Sequence, residues 1–226
     1  LSSAILKGYT QEIPTLFNDE KDKQKGLQEL IEYCARVSNP SGQSVDKEPG
    51  RLIRYLTKHR HWSPFEMVSA LIEINTTRDI ARQLLRHRSF SFQEFSQRYA
   101  DPTSDLAFNV REARLQDQKN RQNSIHTDDE ELKRSWEAKQ QQLIHETSLA
   151  YKWAIENGIA KEQARSVLPE GNTNSRLYVN GTMRSWIHYI DLRTTPGTQL
   201  EHMELARQCA DALRPVFPMI GEFVHS

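Results

Sequence analysis

The stretch from Met67 to Asn75 constrains the fold most. Val68, Ala70, Ile72 and Ile74 fall on every second residue and more mixed residues stand between them, the period of a strand with one buried face. Such a strand needs a covering layer, and the rest of the chain supplies helices. Residues 26–37 carry Leu27, Leu30, Ile31 and Cys34 on one side. A second helix is expected from Glu48 to His59, and Ser63-Pro64 breaks the chain before the strand. Helical spacing returns over 77–86, a short strand or loop is expected over 89–99, and residues 176–180 read as extended. Further helices are expected over 161–167, 182–193 and 198–213.

The most polar segment, 116–130, reads as a solvated loop or ordered excursion. Asp128 or Asp129 then caps a long helix to Asn157, stopped by Gly158. Leu132, Trp136, Leu143, Thr147, Ala150 and Ala154 give that helix an apolar stripe. No repeat or linker divides the chain. Helices outnumber strands, too few for a doubly wound sheet, so residues 1–226 read as one mixed α+β domain.

Composition narrows the function. With 226 residues, 37% hydrophobic, and 30 basic residues balancing 30 acidic ones, the chain is globular rather than disordered. It lacks the basic excess that a long phosphate track requires. No apolar run reaches about 18 residues, and Leu1 to Lys7 turns polar too soon for a secretory signal. Two cysteines, Cys34 and Cys209, make no disulfide framework, which fits a reducing cytoplasm. Both lie on apolar helix faces, where packing rather than nucleophilic catalysis is expected. His59, His61 and Glu66 match no zinc spacing, and no metal is expected.

Arginine is nevertheless concentrated locally. Arg82, Arg86, Arg88 and Arg98 form one group, and Arg165, Arg176, Arg184 and Arg193 another. On the first helix Ile80, Ala81, Leu84 and Leu85 share a face, with Arg82, Gln83 and Arg86 opposite. On the later helix Met183, Trp186, Ile187 and Ile190 form the apolar side. Arg184, His188 and Asp191 form a polar stripe, and Arg193 precedes the turn Thr194-Thr195-Pro196-Gly197. Guanidinium forks at helix ends suit phosphate or carboxylate. Phosphorylated small molecules fit this pattern. An RNA- or nucleotide-binding module is the alternative, with Phe90, Phe92, Phe95 and Tyr99 as stacking surfaces.

The run Arg86-His87-Arg88-Ser89-Phe90-Ser91-Phe92-Gln93-Glu94-Phe95-Ser96-Gln97-Arg98-Tyr99 resembles the signature of the flavin-dependent thymidylate synthases. That signature is Arg-His-Arg, seven variable residues, then Ser-x-Arg-Tyr. His61-Trp62-Ser63-Pro64-Phe65-Glu66, Ala164 to Pro169 and Arg184 to Arg193 resemble other blocks of the family. Gln93 stands where the family more often has Asn. The resemblance implies an α+β (α/β-type) domain with a central, mostly antiparallel sheet flanked by helices. It also implies a homotetramer with active sites shared between subunits.

The implied reaction is reductive methylation of dUMP to dTMP. Methylenetetrahydrofolate donates the carbon and NADPH the reducing equivalents through FAD. By the resemblance, Ser63, Arg86, His87, Arg88, Glu94, Thr182, Met183, Arg184 and His188 would hold FAD. Gln83, Leu84, Leu85, Arg86, Glu94, Phe95, Ser96, Gln97, Arg98, Arg165 and Arg193 would bind dUMP, with Arg193 catalytic at the pyrimidine. Ser96, with no histidine–carboxylate relay in sequence, would position rather than attack.

Overall fold

A computed structural model describes residues 2–13, 26–38 and 50–225. The central sheet has the order β1-β2-β6-β3, formed by β1 (Ser3–Tyr9), β2 (Ser69–Thr77), β3 (Ser91–Glu94) and β6 (Asn174–Thr182). All three pairings are antiparallel. β2 and β6 pair along nine residues each, from Ser69↔Thr182 to Thr77↔Asn174.

The expected alternation is present. Ala70, Ile72 and Ile74 are fully buried, and Leu177 and Val179 of β6 extend the same face. Helices α7 (Met183–Arg193) and α8 (Leu200–Leu213) contribute to the same core through Met183, Trp186, Ile187, Ile190, Leu205, Cys209 and Leu213. The indole N–H of Trp186 donates to the carbonyl of Ala70 at 3.1 Å, so its one polar atom is satisfied inside the core. α1 (Leu27–Ala35), α2 (Arg51–Lys58) and α3 (Arg78–Leu84) complete it with Leu27, Ile31, Ile53, Leu56, Ile80 and Leu84.

Two features depart from the sequence reading, β1 and the stripe of the long helix. β1 was not anticipated: its burial alternates only between half-buried and exposed, so its apolar signal is weak. The polar segment is the ordered excursion, one of the two readings its sequence allowed. A hairpin of β4 (Arg114–Gln116) and β5 (Ser124–His126) frames it. Within its turn the Asp117 carboxylate accepts from the Lys119 and Asn120 amides and from Asn123 Nδ2.

The long helix α5 (Glu130–Glu156) follows the short α4 (Pro102–Asp105) and the hairpin, and Asp129 caps it by accepting from the amides of Glu131 and Leu132. Its expected apolar stripe is only partly a core face. Thr147 and Ala154 are buried with Gln140 and Tyr151, whereas Leu132, Trp136, Leu143 and Ala150 are exposed. The Glu48 start expected for the second helix lies outside the described residues. α6 (Lys161–Ala164) runs into a 3-10 turn over Arg165–Val167. Among the described residues, no helix is long and apolar enough to cross a membrane.

Candidate active site

The antiparallel pairing β2–β6 makes the site. Each strand runs directly into a helix, β2 into α3 and β6 into α7, so the two arginine-bearing helices leave the sheet from its opposite ends. Thr182 caps α7 by accepting from the Ser185 amide, which fixes where the helix begins. Met183, Trp186 and Ile190 seal the inner face, leaving Arg184, His188 and Asp191 exposed, as the spacing predicts.

Where α3 ends and α7 ends, Gln83, His87 and Arg193 come together. The Arg193 Nε donates to His87 Nε2 at 2.9 Å. That bond requires a neutral imidazole with its proton on Nδ1. Burial first, and then the Arg193 charge, lower the His87 pKa from 6.5 to about 4. The two terminal nitrogens of Arg193 have no partner among the described residues. Arg193 lines a cavity of about 500 Å³ together with Gln83, Gln199 and the turn Thr195 to Thr198. Asn120 and Gln122 of the polar segment line it too. Gly197 (φ +93°) provides the left-handed step that turns the chain around the cavity after α7.

A second group lies at β3. Glu94 accepts from the Ser175 hydroxyl at 2.7 Å and pairs with Arg78 at 3.5 Å. Beyond it, Arg98 pairs with Glu162 at 3.8 Å, and Arg165 Nε donates to the Glu162 carbonyl at 3.3 Å. Two arginines distant in sequence are therefore held beside one residue of α6. In the third group, Arg184 pairs with Glu66. The His188 ring meets Trp62 edge-on at 4.6 Å, in the wall of a cavity of about 690 Å³. Burial and Arg184 lower the His188 pKa.

Arg86 and Arg88, on the turn after α3, are exposed and make no side-chain hydrogen bond or ion pair among the described residues. Two free guanidiniums on one short turn suit a diphosphate-bearing cofactor such as FAD. Ser63 is exposed at the start of a 3-10 turn. Leu84 and Met183 are fully buried in the core, backbone included. Leu85, Phe95 and Ser96 are half-buried, and Gln97 is buried with its Nε2 unpaired. Of the aromatics in the signature run only Tyr99 is exposed. Phe90 is buried, and Phe92 packs against the core, so they form no continuous stacking surface.

The match extends along most of the chain. Residues 21–219 match the family described as thymidylate synthase complementing protein. The chain belongs to the flavin-dependent thymidylate synthase family. It is 47% identical over 195 residues to the probable flavin-dependent thymidylate synthase of Paramecium bursaria Chlorella virus 1, covering 86% of this chain and 89% of that one. It is 46% identical over 192 residues to the flavin-dependent thymidylate synthase of Synechocystis sp., with 85% and 86% covered. Its fold is similar to that of a UMP/dUMP methylase from Streptomyces cacaoi bound with 5-Br UMP. There the TM-score is 0.79 at 25% identity, over 98% of this chain and 92% of that chain.

The sequence reading missed Asn120, Gln122 and Gln199 in the cavity wall. The unusual polarity of 116–130 was their signal, but nothing local says that a polar segment folds back over a site. Cys209 is fully buried, which pushes its thiol pKa far up, while Cys34 is half-buried rather than packed away. His59 and His61 stand in an exposed ring cluster with Tyr55, their centroids 6.1 Å apart.

Proposed function

We propose that this member of the family methylates dUMP reductively to dTMP, with 5,10-methylenetetrahydrofolate as carbon donor and NADPH as reductant through FAD. The observation that carries the residue roles is the Arg193–His87 pair at the cavity shared with Gln83. C5 of uracil is a weak nucleophile, so negative charge must develop on the ring as it attacks. A guanidinium held at Nε, with its terminal nitrogens unpaired among the described residues of a cavity wall, is placed to stabilise that charge. Because His87 is neutral, it accepts from Arg193 without repelling it.

Arg98 and Arg165 are assigned to the nucleotide phosphate, which would fix the pyrimidine against the flavin. Arg86 and Arg88 are assigned to the FAD diphosphate, with Ser63, Glu94, Thr182, Arg184 and His188 as further contacts. When bound, FAD supplies the hydride chemistry, and the protein contributes orientation and charge. The proposed reaction uses no thiol; Cys209 is sealed in the core and Cys34 is half-buried. Among the described residues Ser96 has no base beside it, its hydroxyl accepting from the Arg98 amide at 3.4 Å, so it positions substrate. The assembly is proposed to be a homotetramer, with residues of neighbouring chains completing each site, working in the cytoplasm on small molecules rather than nucleic acid or membrane.

The test is an absorbance spectrum of purified protein supplemented with FAD. Reduction with NADPH and addition of methylenetetrahydrofolate and dUMP should follow, with dTMP as the product assayed. The expected result is a flavin band and dUMP-dependent dTMP formation. Arg193→Ala should keep the flavin and lose on the order of 100-fold or more in dTMP formation, the scale for removing one transition-state charge donor. Full activity in that variant removes Arg193 from the mechanism. Failure to bind FAD at all sinks the enzyme reading.

A further inference from the structure

Behind the cavity runs a chain of hydrogen bonds whose direction one anion dictates. Glu201, in the first turn of α8, accepts from Arg114 Nη2 at 2.6 Å through one oxygen and from Gln199 Nε2 at 3.0 Å through the other. Burial alone would raise the Glu201 pKa. Its own backbone amide, Gln199, Arg114 and Arg111 outweigh that and lower it, so Glu201 is ionised and can only accept. Gln199 must therefore turn its nitrogen to Glu201, which leaves its oxygen for Gln83 Nε2, 2.7 Å away. Gln83 must then turn its oxygen to His202 Nδ1, at 3.1 Å. His202, fully buried, must carry its proton on Nδ1.

Each donor in this chain is forced by the acceptor before it. The amide orientations follow from the carboxylate rather than from choosing between two indistinguishable amide atoms. The remaining His202 nitrogen, Nε2, is buried without a partner. As a bare lone pair it is tolerable; as a buried N–H donor it would be an orphan. No acceptor stands within hydrogen-bond distance of it among the described residues, its ring lying 5.7 Å from that of Tyr189 and 6.4 Å from that of His87 between centroids. Both ends of the chain thus favour the same direction.

We propose that Glu201, Gln199 and His202 are positioning residues that lock the Gln83 amide in one polarity at the nucleotide cavity, nitrogen on the Gln199 side and oxygen on the His202 side. A glutamine free to flip would offer a donor half the time where the ligand needs one. A locked one reads the ligand's edge consistently. The role in nucleotide binding rests on the function proposed above; the direction of the chain does not.

The two parts are tested separately. In ¹⁵N spectra of imidazole-labelled, FAD-loaded protein, with His202 assigned by loss of its signal in His202→Asn, the Nδ1–H tautomer is expected. An Nε2–H tautomer overturns the chain whatever the enzyme does. Glu201→Gln puts a donor against the Gln199 amide nitrogen and removes the anchor. It should weaken dUMP binding about tenfold, the scale of one net hydrogen bond lost near a charged group, with flavin content unchanged.

Gln199→Ala cuts the chain at a half-buried residue whose side chain makes no cap bond, so it offers a variant expected to fold if Glu201→Gln does not. It should weaken dUMP binding to a similar degree. Glu201→Gln added to Gln199→Ala should cost nothing further, because a cut chain has no direction left to lose. Additive losses, or Glu201→Gln binding dUMP like the parent, overturn the positioning role. A parent that binds FAD but no dUMP overturns the proposed function and leaves the tautomer result standing.

Discussion

At the scale of single residues, the site depends on two histidines that do not charge. His202 is fully buried, and burial first, then Arg193 and His87, lower its pKa from 6.5 to about 3. His87, lowered to about 4, faces Arg193, Tyr189 and His202. The unfolded chain protonates both near pH 6.5, whereas the folded chain resists until pH 4 and pH 3. Between those limits the unfolded state binds more protons, so acid favours unfolding. Their stabilising effect is complete above pH 6.5 and falls away below it. For His202 the loss is on the order of a few kcal/mol. Denaturant midpoints measured from pH 7.5 to pH 4 should fall, and His202→Asn should fall less steeply over that window. Parallel slopes in the two proteins would show that His202 charges freely in the fold.

At the scale of elements, the junction of β6 and α7 is the most tightly made. A Cβ on Gly181 would lie 2.3 Å from Cδ1 and 2.5 Å from Cε1 of Phe90. That ring is wedged against Trp186 at 4.5 Å and Tyr189 at 5.9 Å, so it cannot swing away. Gly181→Ala should therefore cost about 1–3 kcal/mol, the range for overpacking a core, read as a lower denaturant midpoint. In a Phe90→Leu background the same substitution should cost measurably less; an equal cost would place the clash elsewhere. Phe90 also ends the turn that carries Arg86 and Arg88, so the glycine sets where those guanidiniums stand.

Gly181 gave no signal in the sequence, because close approach of a ring from residues 91 positions away is a tertiary fact. What was legible was periodic. The alternation of β2, the two faces of α7 and the cap of α5 at Asp129 each follow from local rules, and the structure has them. β1 was not legible, since an edge strand with no fully buried residue has no strong period. Gln83 was singled out, but its partners Gln199, Glu201 and His202 were not. They lie more than a hundred residues away, and only the packing of α3 against α8 brings them to it.

At the scale of the whole molecule, α5 is the element the single chain does not explain. Its sequence carries an apolar stripe, yet Leu132 (39% exposed), Trp136 (46%) and Leu143 (48%) lie beside the buried Gln140, Thr147 and Tyr151 rather than among them. Leu149 and Trp153, at 51% and 60%, extend the apolar surface further around the helix, away from the buried face. Fully burying a large apolar side chain is worth about 1.5–3 kcal/mol, of which these partly exposed residues leave a share unrealised, and several on one helix mark a surface that another chain can cover. The proposed homotetramer supplies that cover with a second copy of this chain. Light scattering coupled to gel filtration should then give the mass of four chains for the parent. The double variant Trp136→Glu with Leu143→Glu should elute at a lower mass with its helical signal intact, because neither side chain belongs to the core of its own chain. If active sites are completed by neighbours, dTMP formation should fall with the mass even though Gln83, His87 and Arg193 are untouched. A parent that runs as a single chain would remove the assembly. A dissociated variant with full activity would leave every site complete within one chain.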